Sequence, residues 1–552
     1  MCRYLTVILS CIYAVFIVTL GVVIYISDLV SAESIMAEAF SIYLMAVGLI
    51  WLIFIYMDIK QHLKSSRESM QSRKNSERDL HESMINIAEA KHGYCFIQGR
   101  HSGSFYLKAG AAGFCFGHLI HSGLLLGHQV VFFTSESEEF ANCANIATLI
   151  LDIIYPTYSF FQLFFIFKYS NVIINRCQEL AKFALMHCIA SSLCFWIWTI
   201  LRETMDSLHH TAVSDNHKEL RKSEELSIST PSSKFEKLDI LPTLPLTSYN
   251  ERGAKNLLHF LNSSTYLSNN CRGTSHLSTI FDNFSPYLYP FTIEYSILVV
   301  GVLFVMWQNI GRCTKFSSSA KNGFTSNLVI HADCHSANKG LFAGLIILVG
   351  SVVSIILFFV AMADKEYVET GLVVNSITEL TLLVVMTLTS GIAYHQISRL
   401  DINHHPVSFL DDLLLFLCIP AFFLYAIFSI VPAVEKTSYL SITNTILQVI
   451  QVLLQTPFII DGLRRCSNSL HFQRLKPGRE LITFLVVCNV AMWFIETFEI
   501  KSQAVRDDRN EFYGNVLWTM LSHMTLPLTM FYRFHSSVCL VDIWKSAYEP
   551  GG

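Results

Sequence analysis

The stretch KFALMHCIASSLCFWIWTILRET, residues 182–204, decides how the rest of the chain is read. At 1.5 Å rise per residue, about 20 apolar residues cross a ~30 Å hydrocarbon core, and this run is long enough to do so. It nevertheless carries His187 near one end, Ser191 and Ser192 in the middle, and Glu203 at the other end. Ionisable groups in a bilayer are costly and usually face a protein interior or a wet cavity. A membrane helix that keeps them belongs to a bundle with a polar inside.

The whole 552-residue chain has the same balance, 52% hydrophobic and 15% charged. Soluble domains carry nearer ~25% charged residues, so the class is an all-α integral membrane protein. A net charge of −4 leaves no basic footprint, and no nucleic-acid partner is expected. Cys115, Cys188, Cys194, Cys418, Cys488 and Cys539 lie inside apolar runs without a CxxC pair, which fits small buried hydrophobes better than a disulfide framework.

Runs of spanning length recur at 4–27, 35–58, 105–133, 144–168, 182–204, 286–308, 341–362, 371–395, 408–432, 439–460, 480–499 and 514–544, twelve in all. The first is longer than a 7–15-residue signal core and lacks a small-residue cleavage site, so it is read as a span. The polar linker 60–104 and the turns at 168–182, 309–340 and 461–479 are basic, whereas the short loops 28–34 and 134–142 are acidic. The positive-inside rule then puts both termini in the cytoplasm. The loop 499–513, with Lys501, Arg506 and Arg509, is a mild exception on the expected outer side. The long loop 205–285 falls outside and contains a glycosylation acceptor at Asn262-Ser263-Ser264, in keeping with that orientation.

Twelve spans invite a search for a repeat. Gln162-Leu163-Phe164-Phe165-Ile166 in the fourth span resembles Gln455-Thr456-Pro457-Phe458-Ile459 in the tenth. Ser192 through Trp196 resembles Asn489 through Trp493 in the eleventh, and Pro286 in the sixth matches Pro527 in the twelfth. Aligning the prolines sets Glu294 opposite His535. The expected organisation is two pseudo-symmetric halves in parallel, 1–308 and 341–552, joined by a cytoplasmic linker, 309–340.

The chain has no Walker-type GxxxxGK[ST], no HExxH, no GxSxG and no TVGYG filter, and no cofactor is expected. What remains is a scatter of polar groups at membrane depth. His118, His121 and His128 share one face of the third span, open to three readings: a titrating stripe, satisfied interhelical bonds, or a zinc site. Spacing alone makes Glu203 a helix-end carboxylate meeting water. Glu294 and Glu379 sit too deep in the sixth and eighth spans for that, and are functional or buried and paired. His523 and His535 flank Pro527, which removes a backbone hydrogen bond. Arg533 would not face lipid there. Asp411 and Asp412, at a helix end, rank lower.

Four runs carry a resemblance to a known family: LMHCIASSLCFWIWTILRET at 185–204, SPYLYPFTIEYSILVVGVLFVMWQNIG at 285–311, QVLLQTPFIIDGLRR at 451–465 and FYRFHSSVCLVDIW at 531–544. They resemble the otopetrins, proton-selective channels, and the similarity reaches every expected span while failing in the loops 60–104 and 205–285. The resemblance implies twelve helices in two six-helix, barrel-like halves, a homodimer in the plasma membrane, and a lipid partner that includes sterol. It implies proton conduction down the electrochemical gradient, activated by external acid and inhibited by zinc, with His209 and His210 as candidate zinc contacts. By its pattern Glu203 and His535 serve conduction, and Gln162, Gln455 and Asn489 form a polar cluster with Tyr532 or Tyr289, where Ser192 replaces an expected asparagine. Glu294 and Glu379, from their depth in the spans, join the conduction candidates. His118, His121, His128, His187 and His523 are lesser candidates. The rival is a proton-coupled secondary transporter, with Pro457 and Pro527 breaking helices around a midplane site. An embedded enzyme would show catalytic groups clustered at one membrane face, which the sequence lacks.

Overall fold

The computed structural model describes residues 2–30, 35–74, 94–96, 103–134, 145–170, 172–228, 276–311, 338–364, 366–403, 409–503 and 507–550. Within them the chain is helical apart from two small antiparallel strand pairs. The helices are α1 (Cys2–Val30), α2 (Met36–Lys74), α3 (Gly103–Thr134), α4 (Ile146–Tyr169), α5 (Gln178–Ile228), α6 (His276–Asn309) and α7 (Asn338–Met362). They continue with α8 (Val368–Ile397), α9 (Phe409–Glu435), α10 (Tyr439–Gly462), α11 (Leu470–Leu475), α12 (Arg479–Gln503), α13 (Asp507–Tyr513) and α14 (Asn515–Ser546). Strand β1 (Tyr94–Phe96) pairs with β2 (Val172–Ile174), and β3 (Asp401–Ile402) with β4 (Arg465–Cys466).

Among the described residues, eleven helices are long and apolar enough to cross a membrane. These are α1 to α10 and α12. The expected twelfth span is also one continuous helix, α14, but its buried His523, Arg533, His535 and Asp542 leave it more polar than the rest. Hydropathy undervalues a helix whose polar groups are spent inside the bundle.

Two expected loops are shorter than the sequence reading made them. α5 continues to Ile228 and α6 begins at His276, so both ends of 205–285 are helical; α2 likewise runs to Lys74, into the polar linker. The added turns hold Glu, Lys, Leu and Arg, which form helix well in water, so the helix need not stop where lipid does. His209 and His210 fall on this extension of α5, and Asn262 lies outside the described residues.

Large apolar side chains cover the outside: Leu345 is 50% exposed and Ile346 59%. In water that would be a liability, but against acyl chains it is solvation. Burial separates inner from outer helices, with 72% of the α6 span and 67% of the α5 span buried but only 22% of α1 and of α7.

In the first part of the chain α1 packs on α2, α2 on α4, α4 on α3, α3 on α6, α6 on α5, and α5 returns to α1. In the second, α7 packs on α8, α8 on α10, α10 on α9, α9 on α14, α14 on α12, and α12 returns to α7. α14 also touches α3, α5 and α6, while α9 and α12 touch α6. Arg509, an exception to the charge rule, is buried against the Tyr425 hydroxyl (2.8 Å) and the Trp518 ring.

Lipid provides little hydrophobic drive between helices, so small residues that let backbones approach matter more. Gly340 and Gly344 form such a pair where α7 meets α12. A Cβ on Gly340 would come within 1.9 Å of the Glu480 carbonyl oxygen, and one on Gly344 within 2.8 Å of Val487. A backbone carbonyl cannot swing aside. Gly340→Ala is therefore expected to cost about 1–3 kcal/mol through forced separation of the two helices. Thermal unfolding of purified protein in detergent checks this, and a variant melting with the wild type would disprove the close packing.

Candidate functional site

The polar groups of 182–204 prove to have separate tasks. His187 is 1% exposed; its Nε2 lies 3.0 Å from the Leu44 carbonyl and its Nδ1 2.9 Å from the Tyr13 hydroxyl. A carbonyl only accepts, so Nε2 carries the proton and Nδ1 accepts from Tyr13. With both nitrogens engaged, the ring pins α5 to α1 and α2. His187→Phe is expected to lower thermal stability by about 1 kcal/mol, the scale of interhelical bonds in membranes, and to leave ion flux unaltered. Flux lost at normal stability would reverse that assignment. Ser191 donates to the His187 carbonyl of its own helix at 2.8 Å.

Glu203 is not a solvated helix end. It is 7% exposed and its Oε2 accepts from the Ser285 hydroxyl of α6 at 3.2 Å. The same hydroxyl lies 3.2 Å from His121 Nε2 on α3. Because Ser285 donates its one proton to Glu203, it accepts from the His121 N–H. The result is a donor–acceptor file, His121 to Ser285 to Glu203, across three helices. One turn along α3, His118 bridges Thr292 (3.1 Å) and Ser159 (3.0 Å), reaching α6 and α4. On α4 the Gln162 amide donates to Ser192 at 3.2 Å and to the Tyr158 hydroxyl at 3.4 Å. The interior of the first part thus carries titratable and hydroxyl groups from Glu203 toward Ser192. His128 stacks on Phe281 with its ring at 6.1 Å, apart from this file. His121 stacks on the same Phe281 ring at 5.9 Å, while His118 meets Thr292 and Ser159, and among the described residues no metal-sized cluster includes the three histidines.

The second part has a matching amide pair. Gln455 donates to Asn489 at 3.0 Å, Asn489 returns a bond to Gln455 at 3.2 Å, and Gln451 donates to Gln455 at 2.7 Å. Gln162 with Ser192 and Gln455 with Asn489 therefore join equivalent helices. The serine keeps the contact, although it makes one bond where asparagine makes two. Tyr532 reaches Thr456 at 2.9 Å, one residue along from Gln455. Glu379 accepts from Asn444 at 3.2 Å.

A central feature that the sequence reading did not anticipate is an ion pair. Arg533, fully buried, donates from Nε to Glu496 at 3.0 Å and from its fork to Gln451. In sequence Glu496, with Glu499 three residues on, closes an apolar run and resembles a helix end. A better signal was available on α10, where Asn444, Gln448, Gln451 and Gln455 recur at spacings of four, three and four, one polar face, all buried.

Where the two circuits meet, Glu294 accepts from the Trp493 indole at 3.2 Å. His523 lies 3.2 Å from Thr204, next to Glu203, with the Tyr289 ring against it at 5.2 Å. His535 is apart from both: its Nε2 lies 3.3 Å from the Asp411 carbonyl and 3.8 Å from that residue's carboxylate, and the ring stacks on Phe531. Glu203 and His535 therefore belong to different neighbourhoods. Outside the spans, Tyr94 of β1 donates to Asp58, whose other oxygen is 3.4 Å from Arg176. Burial first, then that carboxylate, pushes the Tyr94 phenol well above its usual range.

Comparison with known proteins follows the same lines. The Otopetrin family model matches residues 106–534. The proton channel OtopLc of Drosophila melanogaster is 33% identical over 458 residues, which cover 81% of this chain and 28% of that protein. The proton channel OTOP1 of Danio rerio is 22% identical over 518 residues, covering 81% of this chain and 79% of that protein. The proton channel OTOP3 of Homo sapiens is 26% identical over 310 residues, covering 47% and 51%.

Proposed function

Because the chain belongs to the otopetrin family and is a multi-pass membrane protein, we propose that it is an ion channel, not an enzyme, that conducts protons down their electrochemical gradient. The observation that carries this reading is the buried file of His121, Ser285 and Glu203, with spacings of 3.2 and 3.2 Å. A hydroxyl that accepts from an imidazole and donates to a carboxylate can take one proton and release another. It needs no pore wide enough for a hydrated metal ion. Selectivity then follows from narrowness: sodium must keep or replace a coordination shell, whereas a proton moves by bond exchange.

The finer architecture is part of the same reading. With α14 counted as a span, twelve helices form two six-helix, barrel-like halves in parallel, supported by the identical order in which each set of helices packs. Both termini are cytoplasmic, the protein sits in the plasma membrane as a homodimer among lipid that includes sterol, and external acid opens it. Glu203 and His535 act as relay or gating groups, Glu294 joins the halves, and Glu379 with Asn444 begins the polar face of α10. Inhibitory zinc at His209 and His210 would act from outside, and Asn262 would carry glycan.

Whole-cell current against external pH, with sodium and chloride replaced, tests the function. The reversal potential should follow the proton gradient alone. A current that needs sodium, chloride or an added solute would overturn the channel reading in favour of a coupled transporter. No observation favours that rival, since Pro457 and Pro527 lie inside helices that continue through them.

A further inference from the structure

Apart from the file that carries conduction, the described residues bring together one group of side chains with metal-binding chemistry: Asp411 of α9 with His535 and Cys539 of α14. Their donor atoms all lie within 4.8 Å of one another. From these residues we infer a binding site for a thiophilic divalent cation of the zinc class, at the end of the bundle that carries the C-terminus.

Two of the three donor separations are at or near those around such an ion, and the third, between Asp411 and Cys539, lies within 4.8 Å. Zinc bonds sulfur at about 2.3 Å and nitrogen or oxygen at about 2.0–2.2 Å, so donors around a tetrahedron stand about 3.3–3.6 Å apart. His535 Nε2 lies 3.5 Å from Cys539 Sγ and 3.8 Å from the nearer carboxylate oxygen of Asp411. The first pair already has the required separation and the second closes by a few tenths of an ångström. His535 and Cys539 are four residues apart on one helix, so they hold that spacing without help, and Asp411 comes from the facing helix. Mixed sulfur, nitrogen and carboxylate donors suit zinc or cadmium, whereas magnesium and calcium take oxygen alone. On binding, the thiol gives its proton to solvent and the imidazole moves its own from Nε2 to Nδ1, leaving thiolate and carboxylate to balance the ion's two charges.

Access and affinity can also be read. His535 is fully buried, but the Asp411 side chain is 21% exposed, so an ion would enter past the carboxylate. Neighbouring Asp412 is held by Arg464 and is not a fourth ligand. Three protein ligands leave the fourth position open, the pattern of an exchangeable site. His535 Nδ1 is buried without a hydrogen-bond partner among the described residues, so nothing fixes the ring in the metal-binding tautomer. Loss of such an outer partner weakens metal sites by about 10–100-fold. The ion would therefore come and go. Its effect on conduction rests on the proposed role of His535: an occupied site fixes that ring and stops the current from the cytoplasmic side.

The test begins on the purified full-length protein, with cobalt(II) as probe. Wild type should show a thiolate-to-cobalt absorption band that zinc displaces. Cys539→Ala should lose the band, and Asp411→Asn should need at least about tenfold more cobalt to reach half of it. No band in wild type, or an undiminished band in Cys539→Ala, overturns the site even if the protein conducts. In excised inside-out patches, zinc on the cytoplasmic face should remove current reversibly, and the fraction removed should fall in Cys539→Ala. An equal fraction in both overturns the regulatory effect. A protein with the band but without proton current retains the site and overturns the conduction reading instead.

Discussion

Replacing Glu203 by glutamine is expected to remove most of the proton current while the protein still folds and reaches the surface. The amide is nearly isosteric and its oxygen can accept from Ser285, so the 3.2 Å contact and the packing of α5 against α6 survive. What it cannot do is take up the proton that Ser285 passes on. A positioned proton-transfer group contributes about 100-fold or more to a rate, and a loss of at least about 10-fold in conductance is expected here. Ser285→Ala, which breaks the file one step earlier, should act in the same direction. Acid-evoked whole-cell current, normalised to surface protein, is the measurement. Wild-type current from Glu203→Gln at normal surface expression would remove Glu203 from the relay.

The second large effect concerns stability. Arg533→Ala leaves Glu496, which is 4% exposed, without its guanidinium, and also withdraws a donor from Gln451. Removing one partner of a buried ion pair costs about 3–5 kcal/mol, because the remaining charge stays in a medium that cannot solvate it. Most of that penalty belongs to the stranded carboxylate. The double variant Arg533→Met with Glu496→Leu should therefore be markedly more stable than Arg533→Ala alone. Arg533→Lys should fall between, since an ammonium cannot reach Glu496 and Gln451 with one planar fork. Thermal melting in detergent ranks the four proteins. A double variant no better than the single would show that the pair is favourable in itself.

These two predictions rest on different kinds of legibility. Arg533 could be placed away from lipid on charge cost alone, but its partner was invisible: Glu496 precedes it by 37 residues and looks like an ordinary helix end. Spacing alone makes Glu203 a carboxylate meeting water, and only the family resemblance makes it a conduction candidate. Its burial and its bond to Ser285, 82 residues away, came only with the fold. His187 had the same standing as His121 in sequence. Their surroundings part them, since His187 is held on both nitrogens by α1 and α2, whereas His121 feeds a chain of exchangeable protons.

By itself the sequence determined the membrane class, the positions of the helical spans and the family, because each of these is written in local composition or in the order of local motifs. Hydropathy is a sum over neighbours in the chain, and a helix in lipid satisfies its own backbone. Tertiary structure decided where helices stop in water, as with α5 running on to Ile228, and which polar groups form a file, an ion pair or a mere pin. A buried polar side chain is defined by the partner it finds, and here that partner is supplied by another helix. For 182–204 those partners include Tyr13, Leu44, Gln162 and Ser285 from the first half of the chain and His523 from its far end.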